Sequence, residues 1–487
     1  MADTSLLAAN FQLSEVLPSQ LGVPKLNDSS VVLAKQVSTY FPQTNQSQTI
    51  AAGTSGSPFI FKLSNSRMYA DLRSSRLNFT AVLAPDAGVV AFDDSAMSLI
   101  NRIRVLVGGV LVSDLQYANI HAAMKHNLCY PMDNTIDQLI CGYKYNTTQL
   151  GEQSLAGTTA GLPAAANYNI PVVGGNATAS YQDPFSSAAA RQRGGIIVNT
   201  SCNDVNNQVD VSIPLRLISP FFNQKQFFYL RNASIQLEIY PEVPAQALAL
   251  ISGAPTAGGT SYSMNAMTLR QDEYAVDSSV VDMIDQVVAT AGLVVPYEDV
   301  TTLNASYNGT TQAVPFTRAV SDLVELLFVA QPTANFNTLG AFSVSGFPTY
   351  QLDQCQIQIG ATLYPVTPTT SDTERNYLLL QMANGDPSAE YSTCMIPRKC
   401  LAVYNNAFAG GAYTADSQMC ISAIGYPFRK INTEGVFTIS AGVNTGLDAG
   451  SIIVKFIQQA AQATTAFCLV KYVRLLTLAS GRVSVSA

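Results

Sequence analysis

The sequence contains no tryptophan and only two histidines, His121 and His126. On a helix, residues five apart sit about 140° around the axis, off a common face, so this pair does not suggest a metal site. They read as surface or interface histidines. Eight cysteines (Cys129, Cys141, Cys202, Cys355, Cys394, Cys400, Cys420 and Cys468) include no CxxC pair and no metal-ligand spacing. Eight in 487 residues is too sparse for a disulfide scaffold, and they read as free thiols packed as small apolar groups in a reducing compartment. There is no Gly-Lys-Ser/Thr phosphate loop, no HExxH and no GxSxG. No acid–base pair stands out, and the adjacent acids Asp93 and Asp94 read as a solvated loop. The expectation is a protein that is not an enzyme and needs no metal or cofactor.

Long apolar runs are lacking too. No stretch approaches the ~20 residues that cross a bilayer, and Met1 to Glu15 has neither the basic start nor the apolar centre of a signal peptide. The sequons at Asn146-Thr147-Thr148 and Asn232-Ala233-Ser234 then read as accidents of an Asn/Ser/Thr-rich chain.

Charge is the scarcest commodity. Only 12% of residues are charged, against roughly 25% in average soluble proteins, while 47% are hydrophobic. Wholesale disorder is excluded. A surface this poor in charge suits burial against other subunits, because interface cores are depleted in charge. A secreted β protein with a neutral surface has the same composition. The net charge of −7 argues against direct nucleic-acid packaging, which needs clustered Lys and Arg. From Ala423 onward six basic residues (Arg429, Lys430, Lys455, Lys471, Arg474, Arg482) face two acidic ones (Glu434, Asp448), a thin local excess of four that reads as solvated or subunit-facing.

What is present is strand grammar. Residues 1–55 are polar and Pro-interrupted, and read as an arm, either a tether or a disordered tail. From Pro58 the chain alternates apolar with small or polar residues: Phe59 to Leu63, Leu77 to Leu83, and Ile103 to Val107, the last turning through Gly108-Gly109 into Val110 to Val112. A helix is predicted from Leu115 to Asn127, capped by Asp114. Residues 146–206 carry only five charges among Gly, Ala, Ser, Thr and Asn, and read as a large surface excursion. Strands resume at Val209 to Leu215, Ser234 to Tyr240 and Met264 to Val276. A helix follows, starting at Asp277 or Ser278, with Val280, Val281, Ile284, Val287 and Val288 as its stripe and Gly292 as its end. Further strands are predicted at Asp322 to Val329, Gln354 to Ile359, Gln418 to Ala423, Val436 to Ala441, Ser451 to Ile457 and Phe467 to Leu478.

The halves echo each other. Val105-x-Val107-Gly108-x-x-Leu111, followed by Tyr117, returns 252 residues later as Ile357-x-Ile359-Gly360-x-x-Leu363, followed by Tyr377. Leu77 to Leu83 is matched by Leu323 to Val329, and Ser234 to Ile239 by Ser451 to Phe456. The shared order implies two copies of one strand plan. About eight strands per half with a long excursion suit an all-β chain of two tandem jelly-roll sandwiches: an arm at 1–55, a first roll at 56–276 with the 146–206 insertion, and a second roll at 277–487.

The run Ser98 to Asp114 with Tyr117 resembles the first-half signature of double jelly-roll major capsid proteins. Asp272 to Asp277, the helix after it and Gly292 to Glu298 resemble that family's passage into its second half. The similarity covers Pro58 to the C-terminus and is nearest to the capsid proteins of polinton-like viruses and virophages. The excursion at 146–206 has no assigned counterpart. The resemblance implies homotrimeric, pseudo-hexagonal capsomers of a double-stranded DNA virus. These contact neighbouring capsomers, penton and minor capsid proteins, and tile an icosahedral virion shell made in the reducing host cytoplasm or nucleus. The alternative from another class is an extracellular carbohydrate-binding or adhesive β-sandwich protein, which predicts a signal peptide, disulfides and exposed aromatics.

Overall fold

The computed structural model describes residues 32–64, 68–86, 89–92, 95–129, 197–199, 208–224, 228–230, 233–252, 258–339, 344, 352–370, 372–384, 423–428, 443–446, 450–458, 461, 463–479 and 482–486. The sequon residues Asn146 and Asn232, the Asp93-Asp94 pair and most of the 146–206 excursion lie outside these residues, as does the strand predicted at Val436 to Ala441.

The first roll uses strands β1 (Val32–Tyr40), β2 (Gln48–Ile50), β3 (Phe59–Leu63), β4 (Met68–Ala84), β5 (Val89–Phe92), β6 (Ile100–Val107), β7 (Val110–Gln116), β8 (Ile197–Asn199), β9 (Gln208–Pro214), β10 (Phe228–Tyr229), β11 (Ile235–Pro241), β12 (Leu248–Ser252) and β13 (Ser261–Val276). The second uses β14 (Leu293–Tyr307), β15 (Thr311–Thr317), β16 (Leu323–Pro332), β17 (Leu352–Ile359), β18 (Thr362–Thr369), β19 (Ala423–Pro427), β20 (Ser451–Gln458) and β21 (Thr464–Ala479), with β22 (Arg482–Ser486) folded back on β21. Three helices matter below: α1 (Ala118–Cys129), α2 (Ser278–Thr290) and α3 (Asp372–Asn384).

Each roll is two antiparallel sheets. In the first, the long sheet runs β1/β2–β13–β4–β9/β10 and the short sheet β3–β11–β6–β7. In the second, the long sheet runs β14–β21–β16–β19 and the short sheet β15–β20–β17–β18. Counting eight main strands per roll in chain order, both rolls read 1-8-3-6 and 2-7-4-5, the jelly-roll order. Strands β5, β8 and β12 form a small accessory sheet in the first roll. The duplication extends to the cores. Leu237 on β11 lies between Phe61 and Val105, and Val454 on β20 lies between Val314 and Ile357. All six are buried, so alternation on these strands is what closes each sandwich.

Several sequence expectations change. Residues 32–50, read as part of an arm, form the first roll's edge strand. Its inward side meets a buried carboxylate, Glu273, through Gln36, Ser38 and Tyr40. Asp114 caps no helix: it sits in β7, paired with Arg102 and Arg104 across the hairpin. The helix starts three residues later than predicted, at Ala118, after Tyr117 turns the chain with φ +52°. Of the predicted strand Gln418 to Ala423, the described part is Ala423, which opens β19. The second helix follows its expected caps. The Asp277 carboxylate accepts from Ser279 N at 2.9 Å, Val280, Ile284 and Val288 face inward, and Gly292 ends it at φ +79°.

Candidate functional site

The candidate feature is a junction rather than a pocket: the first roll's fifth strand, β7, meets the second roll's first strand, β14. The cause is a bulge. Val105 pairs with Ser113 but Leu106 with Leu111, so Val112 is an extra residue on β7. A bulged residue is freed from the ladder, and here the Val112 carbonyl turns to the other roll. It accepts from Tyr297 Oη at 2.9 Å and from Arg474 Nη1 at 2.8 Å.

Next along β7, Ser113 Oγ donates to Asp299 Oδ1 at 2.6 Å. Asp299 also takes Val300 N at 3.0 Å, Tyr472 Oη at 3.1 Å and the Arg474 guanidinium at 3.3 Å. Burial pushes the Asp299 carboxyl upward, while Ser113, Arg474 and Tyr472 pull it back. A buried carboxylate is tolerated here because every side of it is hydrogen-bonded. Thr302 Oγ1 donates to the Gln116 carbonyl at 2.6 Å. Tyr117 then stands edge-on to Phe467, centroids 4.7 Å apart, and Phe221 edge-on to Tyr297 at 5.5 Å. No ladder joins β7 to β14: side chains and single carbonyls make the contact. The first roll's core continues through this seam into Val295, Tyr297, Leu327, Val329, Phe467 and Leu469 of the second.

The echo residues divide accordingly. Val105, Val107, Ile357 and Ile359 are buried in their own sandwiches. Gly108, Gly109 and Gly360 take positive φ in the turns that follow (+56°, +83° and +58°). Gly108 has a second constraint, since a Cβ there would lie 2.6 Å from Cγ2 of Val483 on β22. Leu111 is partly exposed beside the Val112 bulge and Leu363 half-buried. Tyr117 and Tyr377 are not equivalent: Tyr117 is the hinge into α1 and packs across the seam, whereas Tyr377 lies within α3 with an exposed side chain.

His121 is half-buried at this junction. Burial, aided by the Lys125 charge, lowers its pKa to about 3, so the ring is neutral. Nδ1 lies 2.8 Å from the Ile218 carbonyl, which only accepts, so Nδ1 carries the proton. Beside it a cavity of about 100 Å3 is lined by Lys125, Val300, Glu325, Leu469 and Lys471 among others. Of the basic residues from Ala423 onward, two work inside the fold: Lys471 pairs with Glu298 and Glu325, and Arg474 with Asp299. Cys355 and Cys468 are buried, and among the described residues no cluster of His, Cys, Asp and Glu has metal-site geometry. Sequence reasoning missed Asp299, Arg474 and the Val112 bulge. Their long-range partners lie 173 to 362 positions apart, and no local pattern announces them.

No protein-family model matches the chain, and no curated protein is similar to it in sequence. Solved structures are similar to it in fold. The PBCV-1 VP54 structure fitted into a reconstruction of the virophage Sputnik shares 10% identity over 95% of this chain and 99% of that one, with a TM-score of 0.53. The quasi-atomic model of the PBCV-1 virus capsid shares 10% over 95% and 99%, at 0.51. The 3.5 Å structure of the Sputnik virophage shares 13% over 97% and 92%, at 0.50. At these identities the likeness is one of architecture, and it extends across nearly the whole chain: the fold is the double jelly roll of virus capsid structures.

Proposed function

We propose that this chain is the major capsid protein of a double-stranded DNA virus, assembling first into homotrimeric capsomers and then into an icosahedral virion shell. The observation that carries this is the pair of like-ordered rolls, locked edge to edge, whose remaining edges are poor in charge and bear exposed apolar side chains. Three such chains present six rolls, so threefold symmetry gives a near-hexagonal tile. Apolar burial between flanks drives association. The division at 276/277, the echo residues as builders of the rolls and their turns, and contacts with penton and minor proteins belong to the same proposal.

The purified chain tests it by light scattering and electron microscopy. Trimers with pseudo-hexagonal outline, and shells at higher concentration, are expected. A stable monomer that never forms particles overturns the reading. A second experiment concerns the N-terminus. Deleting residues 2–31 leaves β1 and β2 intact and is expected to spare trimers while impairing shells. Normal shells after that deletion rule out a tether.

A further inference from the structure

The seam inside the chain has a counterpart on its outside. The fifth strand of the first roll, bulged at Val112, docks on the first strand of the second. Each chain therefore keeps one unused fifth strand, β18, and one unused first strand, β1.

Both carry the marks of a covered surface. Strand β18 is bulged like β7. From Ile357 to Cys355 its partner advances two residues while β18 advances five, from Tyr364 to Thr369, leaving three extra residues on β18. Val366 stands in that bulge with 83% of its surface exposed, and Tyr377 of the neighbouring α3 is 45% exposed. On β1, Val37 pairs with Asp272 on the outward face, opposite the side that meets Glu273. Val37 is 61% exposed; Leu33, in the irregularity at the start of β1, is 63% exposed and Phe41, just past its end, 58%. These five make up most of the eight exposed large apolar side chains among the described residues. Edge strands are usually guarded by charge, yet β18 has none, and on β1 the single charge, Lys35, is paired with Asp272. Pro365 and Pro368 remove two backbone donors from β18, so a strand ladder is not the contact, just as none joins β7 to β14.

We infer that β18 and α3 of one copy dock on the outward face of β1 of a second copy, with Val366 set among Leu33, Val37 and Phe41, repeating between chains the junction that joins the rolls within a chain. The contact is heterologous, fifth strand to first strand, so it propagates in one rotational sense and closes when a ring is complete. This rests on the assembly reading above and names the faces that perform it.

The test uses the full-length protein with Val37→Glu and Val366→Glu made separately. Both positions are exposed, so the melting temperature of each variant should stay within a few degrees of wild type. Light scattering should give an oligomer for wild type and a monomer for either variant, a loss of association of at least tenfold. If Val37→Glu dissociates the protein but Val366→Glu does not, β1 pairs with something other than β18 and the inference is overturned. If neither dissociates a wild-type oligomer, the chain still assembles but through other faces, and only this inference falls. A monomeric wild type sinks the assembly reading itself. Should Val37→Glu fail to fold, Val37→Ser with the same readout replaces it.

Discussion

The two rolls share a strand order but not a manner of closing it. In the first, the long sheet begins with a strand in two pieces, β1 and β2, and the β13–β4 ladder slips register twice. In the second, β14 pairs with β21 residue for residue along all 15 of its residues. The difference follows from what each sheet covers. The first roll's long sheet has one buried face and one outward face, bearing Arg76, Asn78, Arg270 and Asp272 at its middle and the exposed Val37 at its β1 edge, so bulges cost it little. The second roll's long sheet is buried on both faces in its middle: Cys468, Val470 and Tyr472 fill its own core while Phe467 and Leu469 fill the seam. A slip along 467–470 would turn each side chain to the wrong core, and the one slip of the β16–β21 ladder falls beyond that stretch, between Leu323 and Glu325. One strand order is thus built as a roll that adapts and a roll that anchors.

The largest test of this contrast is to break each core separately. Leu237→Asp and Val454→Asp each place a charge in a dry sheet centre, at a cost above about 5 kcal/mol, and both chains are expected to lose folded structure by circular dichroism. Because the first core continues into the second roll, wild type should melt in one calorimetric transition. Two resolved transitions would mean that the rolls are energetically separate.

The seam comes next. Asp299→Ala leaves the Arg474 guanidinium buried without its carboxylate and should cost about 3–5 kcal/mol. If the seam couples the rolls, the same change should split the melting curve.

A pH effect belongs to the first roll. Glu242 at the end of β11 accepts from Asn101, Asn119 and Val243 N, and burial raises its pKa from 4.5 to about 7. A raised carboxyl favours the folded state when protonated. Its contribution is full below about pH 4.5 and is lost as pH climbs through 7, about 3 kcal/mol in all. Denaturant titrations of wild type and Glu242→Gln at pH 5 and pH 8 should show the variant gaining on wild type at the higher pH. Equal slopes would mean that the carboxyl is ionised throughout.

The smallest effect concerns the bulge in β13. Ala266 holds φ +52°, a region costly for any side chain. Ala266→Gly should stabilise by about 0.5 kcal/mol, relief partly offset by glycine's freedom in the unfolded chain. A lower melting temperature would show that the methyl group packs rather than strains.

Much of this was legible beforehand where one side of a strand alone decides its fate. Strands β3, β6, β11, β17 and β20 alternate cleanly because one face is core and the other is not, and the helix α2 carried both its caps in sequence. Strand β1 was misread because its inward residues, Gln36, Ser38 and Tyr40, are polar; they meet Glu273 rather than an oily core, so no hydrophobic period marks it. Tyr117 and Tyr377 matched as letters but not as places: Tyr117 comes just before α1, whereas Tyr377 is the sixth residue of α3. The seam was invisible because it is built from residues that only the folded chain brings together.

The seam also sets a clock. The Val112 carbonyl finds its partners 185 and 362 residues further along, at Tyr297 and Arg474. At roughly 5–20 residues per second, a ribosome takes about 20–70 s to deliver the second of them. For that interval the first roll emerges with its bulged edge bare, next to other nascent chains on the same message that expose the same edge. Fidelity in making this protein therefore depends on each chain meeting its own second half before it meets a sister's.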